Sequence, residues 1–169
     1  MRRQVTAAEL ADFYQRIGAA IWHVQYLEDA LASFLTMKLS HQARCAGTVF
    51  GPQEAADLLA SKRRMTFGPL LESALSHKVV RRDHKTEFDT FKEERHWLVH
   101  RSMVENGDDL YLQSTRTGVL DRITRIQEEA IRLKKVVAAD LEAWAVAHGV
   151  DARVVYEQAA EAILKLQGA

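Results

Sequence analysis

The residues best suited to do chemistry form one short run, Arg95-His96-Trp97-Leu98-Val99-His100. Histidine is the side chain that most often transfers protons in catalysis, so His100 is a candidate acid or base. Arginine is always charged and presents a planar fork of N–H donors, so Arg95 suits the oxygens of a phosphoryl group.

Helical periodicity places Arg95 on the apolar face of a predicted helix over residues 82–100. The rest of that face consists of Phe88, Phe91, Leu98 and Val99. His100 lies five residues further on, which is roughly 140° around the helix. One helix therefore presents the two side chains poorly to a single phosphate. We expect two copies of the chain to pair across a twofold axis, so that both subunits line one cleft.

The same two residues also have structural interpretations. A guanidinium on an apolar face needs a carboxylate partner, and Glu28 or Asp29 of the first predicted helix could supply it. His100 could instead stabilise the carboxyl end of its helix through the helix dipole. The sequence leaves the catalytic and structural interpretations of Arg95 open.

A metal site is a further alternative, because His96 and His100 have the i, i+4 spacing of metal ligands and Glu93 lies on the same side. The zinc motif HExxH requires a glutamate directly after its first histidine, whereas this chain has Trp97 there. We therefore expect neither a metal nor a cofactor. Trp97 is expected to pack in the core, as are Trp22 and Trp144.

The periodicity predicts an all-α bundle with two long helices. We expect helices over 6–39, 52–62, 69–78, 82–100 and 118–149, and a last one after Asp151. Thr6 and Glu9 have the spacing of a capping box, and Pro52 suits a first helical position. Residues 41–51 are expected to form a loop. Asn106-Gly107 favours a small β-hairpin over 103–112.

Composition limits the remaining possibilities. The 169 residues suit one domain over 1–169, with 47% hydrophobic and 27% charged residues. Lys plus Arg and Asp plus Glu number 23 each, so no overall charge would attract the molecule to RNA or to a membrane. Two basic runs, Arg63-Arg64 and Arg81-Arg82 with Lys85, could contact RNA phosphates, but such runs are usually solvated surface. There is one cysteine and no apolar run long enough for a signal peptide or a membrane span, so we expect a cytoplasmic protein.

The segment FKEERHWLVHRSM resembles the motif of the HEPN domains, in which an arginine is followed after four to six residues by a histidine. The resemblance implies a helical bundle that dimerises. It also implies a metal-independent endoribonuclease of a toxin–antitoxin or phage-defence system, whose products end in 2′,3′-cyclic phosphates. A non-catalytic module of the same fold, binding protein or nucleotide, is the alternative.

Carried over to this chain, the resemblance makes Arg95 and His100 the catalytic residues. His96 would take a supporting role where the family often has asparagine, and we expect Arg101 and Ser102 to bind substrate. The expected partners are RNA, a second copy of the chain, and an antitoxin or nucleotidyltransferase. Some toxins of the family carry a tyrosine at the position of Ser102, which partner nucleotidyltransferases modify, so this chain lacks the target of that control.

Overall fold

The computed structural model describes residues 5–150, which form helices and connecting turns with no strand among them. The α-helices are α1 (Ala7–Cys45), α2 (Pro52–Arg63), α3 (Phe67–Ser76), α4 (Lys85–His96), α5 (Ser102–Asn106) and α6 (Gln113–Ala147). A 3₁₀ turn, Arg82–His84, precedes α4, and another, Asp108–Tyr111, precedes α6. A π turn, Trp97–Arg101, joins α4 to α5. The predicted all-α bundle is confirmed, and the helix expected after Asp151 lies outside the described residues.

Local sequence signals set several helix ends. At the start of α1 the Thr6 hydroxyl accepts the Glu9 N–H at 3.2 Å, and the Glu9 carboxylate accepts the Thr6 N–H at 3.0 Å. This is the predicted capping box. Other ends differ from the prediction. Helix α1 continues past Leu39 to Cys45, α6 begins before Gly118, at Gln113, and α3 covers Phe67–Ser76 instead of 69–78. The loop expected from His41 onward therefore begins only after Cys45. The helix expected over 82–100 is divided into a 3₁₀ turn, α4 and the π turn.

The two long helices, α1 and α6, run parallel to each other along the bundle. Three contacts follow one another in the same order on both helices: Arg116 with Glu9 at 3.0 Å, Arg16 with Thr124 at 3.4 Å, and the rings of Phe34 and Trp144 at 5.9 Å. Helix α4 lies antiparallel to α6, because Glu94 contacts Arg122 while Glu87, earlier in α4, contacts the later Arg132. The run that carries Arg95 is thus supported by both long helices.

The predicted β-hairpin is wrong. Gly107 has φ −57° and ψ −37°, which are helical values, whereas the expected type I′ turn needs positive φ at both central residues. Local contacts favour the compact turns, since the Asn106 amide donates to the Asp109 carboxylate at 2.7 Å and the Thr115 hydroxyl donates to the Asp109 carbonyl at 3.2 Å. An isolated two-stranded ribbon is marginal in water, and there is no sheet among the described residues to extend it.

The core lies where α1, α3, α4 and α6 meet. Its largest fully buried side chains include Phe34, Phe67, Phe88 and Phe91, and the rings of Phe67 and Phe91 meet edge to face at 5.6 Å. The middle of α1 is buried in this core, with Val24, Leu27 and Leu31 among its contacts, whereas Leu10 and Tyr14 near its start are exposed. None of the helices within residues 5–150 is long and apolar enough to cross a bilayer.

Candidate active site around Arg95 and His100

The Arg95–His100 run does not continue as a regular α-helix. Trp97–Arg101 forms a π turn, whose hydrogen bonds span one residue more than those of an α-helix. Each residue of such a turn advances by a smaller angle, so the side chains after it leave the register of α4. Val99, predicted in the buried stripe, is 43% exposed, whereas Trp97 and Leu98 are each 4% exposed. The smaller advance also brings His100 closer to the face that bears Arg95 than the 140° of an α-helix would.

Arg95 is fixed by Glu28 of α1. Its Nε and Nη2 atoms lie 3.2 and 3.1 Å from the same carboxylate oxygen, Oε1. The two side chains keep 20% and 24% of their surface exposed, so the pair is largely but not fully buried. Of the two partners that the sequence allowed, Asp29 is engaged elsewhere, because it accepts from Arg63 of α2 at 2.6 Å.

His96 and His100 both lie at the surface, with their ring centroids 5.0 Å apart. The helical backbone continues through the π turn into α5, so His100 does not lie at a helix end. The helix-capping interpretation of His100 is therefore wrong. Within residues 5–150 no three histidine, cysteine, aspartate or glutamate side chains are close enough to hold a metal ion. Glu93 was the third ligand of the zinc alternative, and its carboxylate lies 3.8 Å from the Lys92 ammonium.

The two residues expected to bind substrate differ in how they are placed. Arg101 is 61% exposed and contacts the Glu105 carboxylate at 2.6 Å, one turn later. Ser102 is half-buried, and its hydroxyl donates to the Leu98 carbonyl at 2.8 Å, inside the π turn. Arg101 therefore lies at the surface, next to His100 in the chain. The Ser102 hydroxyl instead satisfies a backbone carbonyl of the π turn.

Trp97 supports the run from the core side. The Arg122 guanidinium of α6 lies 3.8 Å from the centroid of the Trp97 ring, within cation–π distance. Arg122 also donates from Nε and Nη2 to both oxygens of Glu94, at 2.8 and 2.9 Å. Trp97 is thus the packing anchor that the sequence predicted. The same prediction is wrong for Trp22, which is 59% exposed.

An apolar surface that the sequence did not predict flanks the two histidines. Met103 and Val104 of α5 are 86% and 87% exposed, and Val99 in the π turn adds to them. The hairpin prediction placed Met103 and Val104 on a strand, whereas the structure places them on α5, directly after the π turn that carries His100. Contiguous exposed apolar side chains are typical of association surfaces, and these three lie within residues 99–104 of one helical run. We call Val99, Met103 and Val104 the apolar patch.

The basic runs are matched by carboxylates. Arg63 contacts Asp29 as described above, Arg81 contacts Asp83 and lies 3.8 Å from Asp140, and Lys85 contacts Asp89. These carboxylates offset part of the positive charge of each run. The structure therefore favours the solvated-surface interpretation of these runs over RNA contact.

The arrangement around Arg95 combines one fixed cation with two exposed imidazoles. The contact with Glu28 uses the Nε and Nη2 edge of the guanidinium, so the Nη1 amine is on the opposite edge. Such a set could hold a phosphoryl oxygen and transfer protons. Comparison of the chain with family models, with curated proteins and with solved structures finds no significant match. The function is therefore inferred from the residues of this chain.

Proposed function

We propose that this chain is a metal-independent endoribonuclease of the HEPN type, whose active site is completed when two copies pair. The observation that carries the proposal is an exposed pair of histidines directly after Arg95, His96 at the end of α4 and His100 in the π turn, together with a guanidinium that contacts Glu28 through its Nε and Nη2 edge. π turns inside helices occur frequently at functional sites, because the inserted residue redirects the side chains that follow.

In the proposed reaction the ribose 2′-oxygen attacks the adjacent phosphorus, and the bond from phosphorus to the 5′-oxygen of the next nucleotide breaks. A neutral His100 accepts the proton of the 2′-hydroxyl, and a protonated histidine donates a proton to the departing 5′-oxygen. The products carry a 2′,3′-cyclic phosphate and a 5′-hydroxyl. Arg95 stabilises the charge on the phosphoryl oxygens of the transition state. His96 supports the proton transfers, and Arg101 and Ser102 contact the RNA backbone.

The apolar patch supports pairing with a second copy. Burial of Val99, Met103 and Val104 against the same patch of another chain would remove their apolar surface from water. A twofold axis through the patch would bring the histidines of both copies to one cleft, so that one His100 acts as base and the other as acid. Control by pairing suits a toxin or a phage-defence component that an antitoxin or another partner restrains, as the HEPN resemblance implies.

A second candidate is a non-catalytic HEPN-like module that binds protein or nucleotide. The specific observation in its favour is the Arg95–Glu28 pair, which satisfies a largely buried cation within the same chain. In that case Arg95 stabilises the bundle and the two histidines are ordinary surface residues. The apolar patch would then be the binding surface for the partner.

The test is cleavage of RNA in the presence of EDTA by the wild type, by His100→Ala and by the matched control His84→Ala. His84 directly precedes α4 and so lies at the other end of that helix from the motif. We expect 2′,3′-cyclic ends from the wild type and from His84→Ala, and a loss of about 10² to 10⁴-fold in rate for His100→Ala. No cleavage by the wild type, or equal rates in all three proteins, would reject the ribonuclease and favour the binding module.

A further inference from the structure

A cavity of about 350 Å³ lies at the end of the bundle where α1 and α6 terminate, far from the Arg95 site. The stretch of α6 from Arg122, which packs against Trp97, to Trp144 in the cavity wall spans roughly 33 Å at ~1.5 Å per residue. The wall brings together parts of the chain that are distant in sequence. Its lining consists of Lys38, His41, Gln42, Ser76, His77, Lys78, Trp144 and His148.

The lining is rich in cations, and among residues 5–150 it includes no carboxylate. The Lys38 ammonium donates to the Lys78 backbone carbonyl at 2.9 Å. This hydrogen bond holds Lys38 beside the residue that carries the second ammonium group, Lys78. Burial lowers the pKa of Lys38, and the positive charge of Lys78 lowers it further. The charge of the Asp140 carboxylate raises the pKa of Lys38, but this effect is the smallest of the three, and Asp140 also lies 3.8 Å from Arg81. The cavity therefore has an excess of positive charge.

Two of the histidines are oriented by the backbone. The Nδ1 atom of His77 lies 2.9 Å from the Ser73 carbonyl, and the Nδ1 atom of His148 lies 2.8 Å from the Trp144 carbonyl. A carbonyl only accepts, so Nδ1 carries the proton in both rings, and Nε2 is the nitrogen that remains for a ligand. On protonation each Nε2 becomes a charged donor. The imidazoles of His77 and His148 therefore add two oriented nitrogen atoms to the two lysine ammonium groups.

Aromatic rings form the remaining wall and give it rigidity. The His148 ring stacks on Trp144 with centroids 4.6 Å apart, and the His41 ring meets both of them edge-on, at 5.4 and 5.0 Å. Cavities of a few hundred cubic ångströms with rigid aromatic walls and a few directed polar groups are typical of small-molecule sites. Phosphate offers several acceptor oxygens and a high charge, which matches several N–H donors better than a carboxylate does.

We propose that the cavity between Lys38, Lys78, His77 and His148 binds a small phosphate-bearing anion, with the two ammonium groups and the two Nε2 atoms as its ligands. The anion is either free phosphate or the phosphate group of a small ester, because both present the same oxygens. The inference does not rest on RNA cleavage, since no residue of this cavity belongs to the Arg95 site. The two functions can therefore fail or succeed separately.

The experiment is calorimetric titration of the full chain at constant ionic strength with inorganic phosphate, with ribose 5-phosphate and with ribose. The first variant is Lys78→Gln, which removes the charge and keeps a side chain at the positive φ of residue 78. The second is His148→Gln at the exposed end of α6. The matched control is Lys62→Gln, which removes one positive charge at the end of α2, away from the cavity lining. Circular dichroism confirms that each variant is folded.

We expect saturable binding of phosphate or of ribose 5-phosphate, and a loss of roughly tenfold or more in affinity for Lys78→Gln and for His148→Gln, as for one lost charge-assisted hydrogen bond. Lys62→Gln should bind like the wild type. Tighter binding of ribose 5-phosphate would identify an ester as the ligand, and tighter binding of phosphate would identify the free anion. The proposal is overturned by the absence of saturable binding, by binding of ribose alone, or by equal losses in all three variants.

Discussion

The ion pair between Arg95 and Glu28 gives the sharpest test of how this site is built. We consider Arg95→Ala, Glu28→Ala and the double variant. The single changes remove one partner of a pair in which two N–H groups share one oxygen at 3.1 and 3.2 Å. These distances are long for charge-assisted hydrogen bonds, which measure about 2.7 to 2.9 Å at their best.

The expected magnitude follows from the burial of the two side chains. Exposed pairs contribute about 0 to 1 kcal/mol, whereas breaking a fully buried pair costs about 3 to 5 kcal/mol. With a fifth to a quarter of each side chain exposed, we expect Arg95→Ala to lower the free energy of unfolding by about 2 kcal/mol. For a chain of this length that corresponds to roughly 4 to 8 °C in Tm.

The assay is urea unfolding of all four proteins, followed by circular dichroism. The double variant should be more stable than the sum of the single effects predicts, by a coupling energy of about 1 to 2 kcal/mol, because it leaves no orphaned charge. A coupling energy below about 0.3 kcal/mol, which is within ordinary additivity, would refute the assignment of Glu28 as the partner that stabilises Arg95.

The same variants separate the two candidate functions. Glu28→Ala keeps the guanidinium and removes only the carboxylate that positions it, so a ribonuclease should retain more RNA cleavage in Glu28→Ala than in Arg95→Ala at equal folded concentration. If Arg95 acts only through the stability of the bundle, any cleavage should fall equally in the two variants. RNA cleavage is measured well below the Tm of both variants, so that unfolded protein does not affect the comparison.

Two further predictions concern the helical frame. Gly107→Ala should lower the free energy of unfolding by about 1 kcal/mol or more in urea, because a Cβ at residue 107 would lie 2.7 Å from the Met103 carbonyl oxygen. Gly118→Ala, where no atom lies within 4 Å of the added carbon, should raise it by up to about 1 kcal/mol, and the reverse order would contradict this packing. Hydrogen bonds from Arg132 lower the pKa of Glu87, so this group stabilises the fold above its unfolded pKa of about 4.3 and loses that effect as the pH falls through the lower folded value. Glu87→Gln should therefore flatten the stability profile below about pH 4, and an unchanged acid profile would argue against the pair.

Much of the fold could be predicted from local patterns. The capping box of Thr6 and Glu9 and the proline at Pro52 act within one helical turn, so the sequence places both helix starts correctly. The prediction that Phe88 and Phe91 of α4 are buried is also confirmed, because a regular helix repeats its geometry from one turn to the next. These features require no knowledge of distant residues.

Other features depended on contacts that periodicity does not encode. Asn106-Gly107 has the composition of a hairpin, yet Gly107 is equally able to adopt helical angles, and the neighbouring turns decide between the two. Val99 was placed in the core because a pattern of 3.6 residues per turn assumes that no residue is inserted. The π turn breaks that assumption, and the buried Trp97 beside Arg122 lies within it.

The sequence by itself determined an all-α chain and the presence of Arg95 and His100 in one helical run, because residue types and short spacings are properties of the chain alone. Only the tertiary structure decided that Arg95 pairs with Glu28 and not with Asp29, because Arg63 of α2 binds the Asp29 carboxylate. It likewise decided which histidines meet at the end of the bundle. Pairing between distant residues is set by how helices pack, and no local pattern specifies it.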